Sequence, residues 1–217
     1  MNFTITENSF DPALYELFEF RPRKGDIKKL QIIEAAIHCL ANDGIENTTF
    51  ESIGKLIGTR RSHVAYHFAD KKLIFLSAIK FILSTYQQTV MGQMVESQNG
   101  RKMLLQYIEG SFTWATDHPT HLSVIFLLYY YCQLDSEYRD LHDQVRRGGM
   151  ERLTYILSQK FNNKFTKRQA AFLAKQIQNL LSGAILDAAT TNSYDLKRAK
   201  QEAIKTTLTL IDSVGGP

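Results

Sequence analysis

Residues 48–71 read TTFESIGKLIGTRRSHVAYHFADK. Thr48 and Glu51 stand at the spacing of a capping box, in which two side chains reciprocally satisfy backbone N–H groups at a helix start. A short helix is therefore expected through Ile53, Leu56 and Ile57. Gly58 stops it, because glycine enters a left-handed turn without steric cost. A second short helix then runs through Ser62, Val64 and Ala65 to about Phe68. Asp70 is placed to cap a longer one through Leu73, Leu76, Ile79, Leu83 and Tyr86. Two short helices joined at a glycine and braced by longer ones make a helix-turn-helix plan.

Working outward, Leu30, Ile33, Ile37 and Leu40 form one apolar stripe, so a first helix is expected from about Asp26 to Asn42, closed by Gly44. Downstream, five more helices are expected at about 101–117, 119–135, 137–161, 167–191 and 195–213. Pro119 suits a first turn, Thr166 with Gln169 makes a second capping box, and Asp195 precedes the last helix. Gly148 and Gly149 are expected to kink or break the seventh helix. With few alternating β-branched runs and only four prolines, the chain reads as all-α, with about nine helices.

A chain of 217 residues with 44% hydrophobic content can bury a core without disulfide staples. Cys39 and Cys132 sit in apolar stretches, which suits buried thiols in a reducing compartment. The richest apolar run, Leu122 to Cys132, is too short to span a bilayer. Residues 1–20 carry four acids and no Lys or Arg, unlike a signal peptide, so a cytoplasmic location is expected. Charge is uneven: residues 21–90 hold eleven Lys/Arg against six Asp/Glu, the densest basic excess in the chain, and it coincides with the helix-turn-helix. A phosphate-binding surface requires such an excess, and a solvated helical face can also produce it.

Ile33, Ala36, Leu40, Gly44, Thr49, Ile53, Gly58, Val64, Tyr66, His67, Phe68, Lys71 and Leu73 form a pattern that resembles the DNA-binding domain of the TetR family. The run Tyr66-His67-Phe68-Ala69-Asp70-Lys71 matches the family's aromatic-His-Phe-x-x-Lys signature. The resemblance spans Ile27 to Leu83 and implies a three-helix module followed by an all-α effector-binding and dimerisation domain. It divides the chain into an N-terminal extension (1–25), a DNA-binding domain with its connecting fourth helix (26–90) and an effector-binding and dimerisation domain (91–217). By the same resemblance, Thr49, Tyr66, His67 and Lys71 fall where the family contacts the DNA backbone, and Arg60, Arg61, Ser62 and His63 begin the recognition helix. Arg61 is the expected base reader, since a guanidinium pairs bidentately with guanine. The pattern departs at Ala65, where an aromatic is common, at Arg60, where a small polar residue is usual, and at Gly54, where alanine is usual.

The resemblance further implies that the last two helices pair with those of a second subunit, as a palindromic operator in double-stranded DNA demands of a homodimer. An aromatic set between the two ends would line a pocket for a small apolar or aromatic effector, with Trp114, His118, Phe126, Tyr129 and Tyr130 as its expected contacts. Core packing accounts for part of that set. His118 and His121 flank Pro119 with only Asp117 near, so no metal is assigned, and no cofactor motif is present. The extension joins an acidic aromatic segment to a basic stretch from Arg21 to Lys29, expected to touch DNA if it is not simply disordered. A ligand-responsive repressor follows; no enzyme is expected, for want of a nucleophile–base pair, carboxylate dyad or phosphate loop. The alternative is an all-α sensor acting through protein contacts with weak or lost DNA binding, which Ala65 and the moderate net charge of +4 leave open.

Overall fold

The computed structural model describes residues 24–94 and 99–214. Residues 1–23, which carry the acidic aromatic segment together with Arg21 and Arg23, lie outside the described residues. The described residues form nine α-helices and no strand. They are α1 (Lys24–Asn47), α2 (Phe50–Leu56), α3 (Arg61–His67), α4 (Lys71–Gln93), α5 (Gly100–Asp117), α6 (Pro119–Tyr131), α7 (Ser136–Gln159), α8 (Lys167–Thr190) and α9 (Leu196–Val214).

Helix ends obey local chemistry, with two corrections to the sequence reading. Pro119 sits in the first turn of α6, Gln169 and Thr166 complete a capping box on α8, and Asp195 accepts from Arg198 N at 2.8 Å. At α2, however, the cap is Thr49 rather than Thr48, and its partner is Ser52 rather than Glu51. Thr48 is instead buried, its hydroxyl donating to the Gly44 carbonyl at 2.8 Å. Gly44, at φ 73° and ψ 173°, leaves helical geometry where the sequence reading closes the first helix, and one further turn follows it to Asn47. The second correction is at Gly148 and Gly149, where α7 continues unbroken. Gly149 is a contact point: a Cβ there would lie 2.5 Å from the Gln178 amide nitrogen, which donates to the Arg146 carbonyl at 3.0 Å. The glycine lets α8 reach the α7 backbone, and the hydrogen bond ties down the position that propensity alone marks as weak.

The chain divides into two compact units. The first holds the described residues up to Gln88 together with His118–Tyr138, thus α1 to α3, most of α4, and α6. Its core is built on Ile32, Ile33, Ile53, Val64, Ile74, Phe75, Ile79 and Leu128, and α6 packs on α1. Leu73, the first apolar residue of the expected fourth helix, is 44% exposed, while Ile74 and Phe75 are buried. An unbroken apolar run at the start of a helix leaves the choice of face to its neighbours, here Tyr131 and Tyr138, whose rings lie 5.4 and 5.2 Å from that of Phe75. Beside them, Lys72 Nζ bridges Asp135 at 2.6 Å and Glu137 at 2.8 Å, and these hydrogen bonds hold the ammonium above its ordinary value. The second unit holds the described residues of Thr89–Asp117 and Arg139–Pro217, in which α5, α8 and α9 pack on one another around Leu104, Ile108, Leu173, Ile177 and Ile211.

Candidate nucleic-acid interface

The recognition helix is only seven residues long, so its hold on the rest of the unit decides what it can present. Val64 and Phe68 are buried and the helix packs on α2, leaving Arg61, Ser62, His63 and Tyr66 exposed. Arg60 is its N-cap residue, extended in backbone at φ −86° and ψ 152°, and its side chain caps nothing. Neither Arg60 nor Arg61 makes an ion pair among the described residues, so both guanidinium groups can be spent on an outside anion. The preceding turn is tight. Thr59 N donates to the Gly54 carbonyl at 2.8 Å, and a Cβ on Gly54 would lie 2.9 Å from the Thr59 carbonyl oxygen. Gly54, which sequence reasoning counts as a loss of helix propensity, therefore permits the close approach of the turn to α2.

Gly58, Thr59, Arg60, Ser62, His63 and Tyr66 line one shallow groove of about 550 Å³. Tyr66 is 85% exposed, far more than an aromatic ring kept for packing. The His67 ring stands edge-on to that of Tyr66 at 5.3 Å and stacks on that of His63 at 5.4 Å. Thr49 is exposed at the start of α2, its hydroxyl accepting from Ser52 N at 3.0 Å. Lys71 is half-buried, and its ammonium donates to the Glu46 carbonyl at 3.2 Å near the end of α1, which ties that helix to the start of α4. Of the basic stretch Arg21 to Lys29, Lys28 and Lys29 fall inside α1, where Lys28 bonds Gln31 at 3.3 Å and Lys29 lies over the Phe68 ring at 5.3 Å. Thr59 lines the groove although sequence reasoning did not single it out; its place directly before the two arginines was the available signal.

Residues 32–78, which hold both short helices and this groove, match the family model for bacterial regulatory proteins of the tetR family. Over those residues the chain carries the DNA-binding module of the tetR family. It is a DNA-binding transcriptional regulator, and members of that family are not enzymes. The HTH-type transcriptional regulator BetI of Cronobacter sakazakii is 21% identical over 80% of this chain and 86% of its own length. A TetR transcription regulator from Haloarcula marismortui superposes with a TM-score of 0.76 at 14% identity, covering 87% of this chain and 98% of that one. A putative transcriptional regulator from Saccharomonospora viridis, solved in complex with choline, gives 0.74 at 18% identity, covering 83% and 95%. At such identities the two structures establish the fold.

The chain's expected effector residues fall on two helices. Trp114 is on α5, in the second unit, and is buried. His118, the N-cap residue of α6, belongs to the first unit with Phe126, Tyr129 and Tyr130; Phe126 and Tyr129 are half-buried and Tyr130 is exposed. The His118 and His121 rings stack at 4.8 Å, and His121 Nδ1 lies 3.3 Å from the Thr85 hydroxyl. Since that hydroxyl donates to the Ile82 carbonyl at 2.7 Å, the imidazole Nδ1–H is the donor in the pair. Burial, followed by the neighbouring His118, pushes His121 down to about 4, so it is neutral at physiological pH. No helix among the described residues is long and apolar enough to cross a membrane.

Proposed function

We propose that this chain is a ligand-responsive repressor that binds a palindromic operator in double-stranded DNA as a homodimer in the cytoplasm. The observation that carries the reading is the outward face of α3, where Arg60, Arg61, Ser62 and His63 stand exposed around buried Val64. Side chains early in a recognition helix reach base edges in the major groove, and those around it hold phosphates. Arg61 reads a base, while Thr49, Tyr66, His67 and Lys71 fix the module on the backbone. Residues 26–90 act as the DNA-binding domain with its connecting helix, and 91–217 bind the effector and dimerise through α8 and α9.

The effector is a small apolar or aromatic molecule, and within the first unit its contacts are His118, Phe126, Tyr129 and Tyr130. Choline in the Saccharomonospora viridis protein supports a small-molecule effector, and its quaternary ammonium belongs to a class that aromatic faces bind. For the effector to release DNA it must bind the two conformations of the dimer with different affinity.

The test is titration of the DNA flanking the chain's own gene at several salt concentrations, with Arg61→Ala alongside. Sequence-selective binding that weakens steeply with salt is expected, with roughly 1–3 kcal/mol of base discrimination lost in the variant. Equal binding to random DNA, or none, would overturn the reading.

A further inference from the structure

One face of α7 carries Asp143, Arg146, Arg147 and Met150 at helical spacing, and with Lys175 and Gln178 of α8 it lines a hollow of about 360 Å³. All six residues belong to the second unit. Three cations thus face one carboxylate. Asp143 stands one turn before both arginines, yet no ion pair joins these four charged groups among the described residues. Arg146 is held instead by a neutral group, its guanidinium donating to the Asn179 side-chain oxygen at 2.6 Å. Like charges gathered without a counterion repel, and a bound anion reverses the sign of that interaction.

A second observation is independent of charge. Gln178 Nε2 donates to the Arg146 carbonyl at 3.0 Å, an approach that Gly149 allows by having no Cβ. That bond fixes which way the amide faces, and its Oε1 is left buried with no hydrogen-bond partner among the described residues. Buried polar atoms ordinarily have one. We propose that this hollow binds a small dianion that also carries an O–H or N–H donor. Arg146, Arg147 and Lys175 hold its charge, and Gln178 Oε1 accepts from its donor. Arginine suits the task, since its planar guanidinium offers an oxyanion two parallel N–H donors. The site shares no residue with the recognition helix or with the expected aromatic effector contacts, so it stands or falls apart from those readings.

The test is an NMR titration of the full-length protein at pH 8 and constant ionic strength, read at the arginine Nε–Hε signals. Inorganic phosphate is the probe, because at that pH it is a dianion that keeps one O–H. Sulfate is the control, equal in charge and without a donor. Phosphate should shift the Arg146 and Arg147 signals saturably, with a Kd about tenfold below that of sulfate, as expected for one hydrogen bond to an otherwise unpartnered buried acceptor. Arg147→Gln and Lys175→Gln should each weaken phosphate binding about tenfold, the loss of one charge-assisted contact, whereas Asp143→Asn should tighten it. Lys205→Gln, on α9, should change nothing. All four substituted side chains are exposed, and circular dichroism checks that the fold is kept. Absence of saturation, sulfate binding as tightly as phosphate, unaltered affinity in Arg147→Gln and Lys175→Gln, or an equal loss in Lys205→Gln overturns the proposal.

Discussion

Gly58 and His121 show how much can hang on a single side chain, or on its absence. Gly58 ends α2 at φ +66°, with open space around the position of a Cβ, so the demand there is on the backbone alone. Gly58→Ala is expected to cost about 1–2 kcal/mol, the penalty for an L-residue in the left-handed region, read as a fall in the urea midpoint. His121 makes the opposite demand, for a neutral ring. Its value in the fold, about 4, lies below the ordinary 6.5, so the unfolded chain takes up the proton first as pH falls. The stabilisation from keeping it neutral is fully present above pH 6.5 and is lost as pH falls from 6.5 towards 4. Denaturation midpoints across that window should drop in wild type and drop less in His121→Gln; equal slopes would refute the assignment. The glycine stop was legible in the sequence because a turn signal is local. The neutral histidine was not, because desolvation comes from residues distant in the chain.

At the scale of the element, α7 separates propensity from packing. Gly148 and Gly149 cost the same in an isolated helix, yet a Cβ at Gly148 would meet only the Arg152 guanidinium at an ordinary 3.5 Å, whereas one at Gly149 would displace the Gln178 amide. Gly148→Ala is therefore expected to stabilise the protein by about 0.5–1 kcal/mol. Gly149→Ala should show no gain, because breaking the Gln178–Arg146 hydrogen bond offsets the propensity term by about 1 kcal/mol. Thermal denaturation of the two variants side by side checks this, and a gain at both positions would mean that the hydrogen bond contributes nothing. The same division explains the helix starts. Thr166 with Gln169 offered one possible cap, and it forms; Thr48-Thr49 offered two, and the burial of Thr48 against Gly44 selected the second.

At the scale of the whole molecule, the proposed dimer rests on α8 and α9. Phe172, on α8, is 51% exposed, whereas Leu173 and Ala174 beside it are buried. Phe172→Glu is expected to shift the protein towards monomer in light scattering and to weaken operator binding, since a monomer meets one half-site only. An unchanged mass with full affinity would place the interface elsewhere. The sequence by itself determined the all-α class, the two short helices around Gly58, and the residues that α3 presents. Each of these depends on spacing within one turn or on a local turn preference, and such information survives in a linear string. Only the tertiary structure decided that Gly149 joins two helices, that Leu73 faces outward, that α6 packs with α1 in the first unit, and that His63 stacks on His67. Those outcomes depend on which surfaces meet and exclude water, and on rotamers chosen by neighbours, and neither is written in the order of the residues.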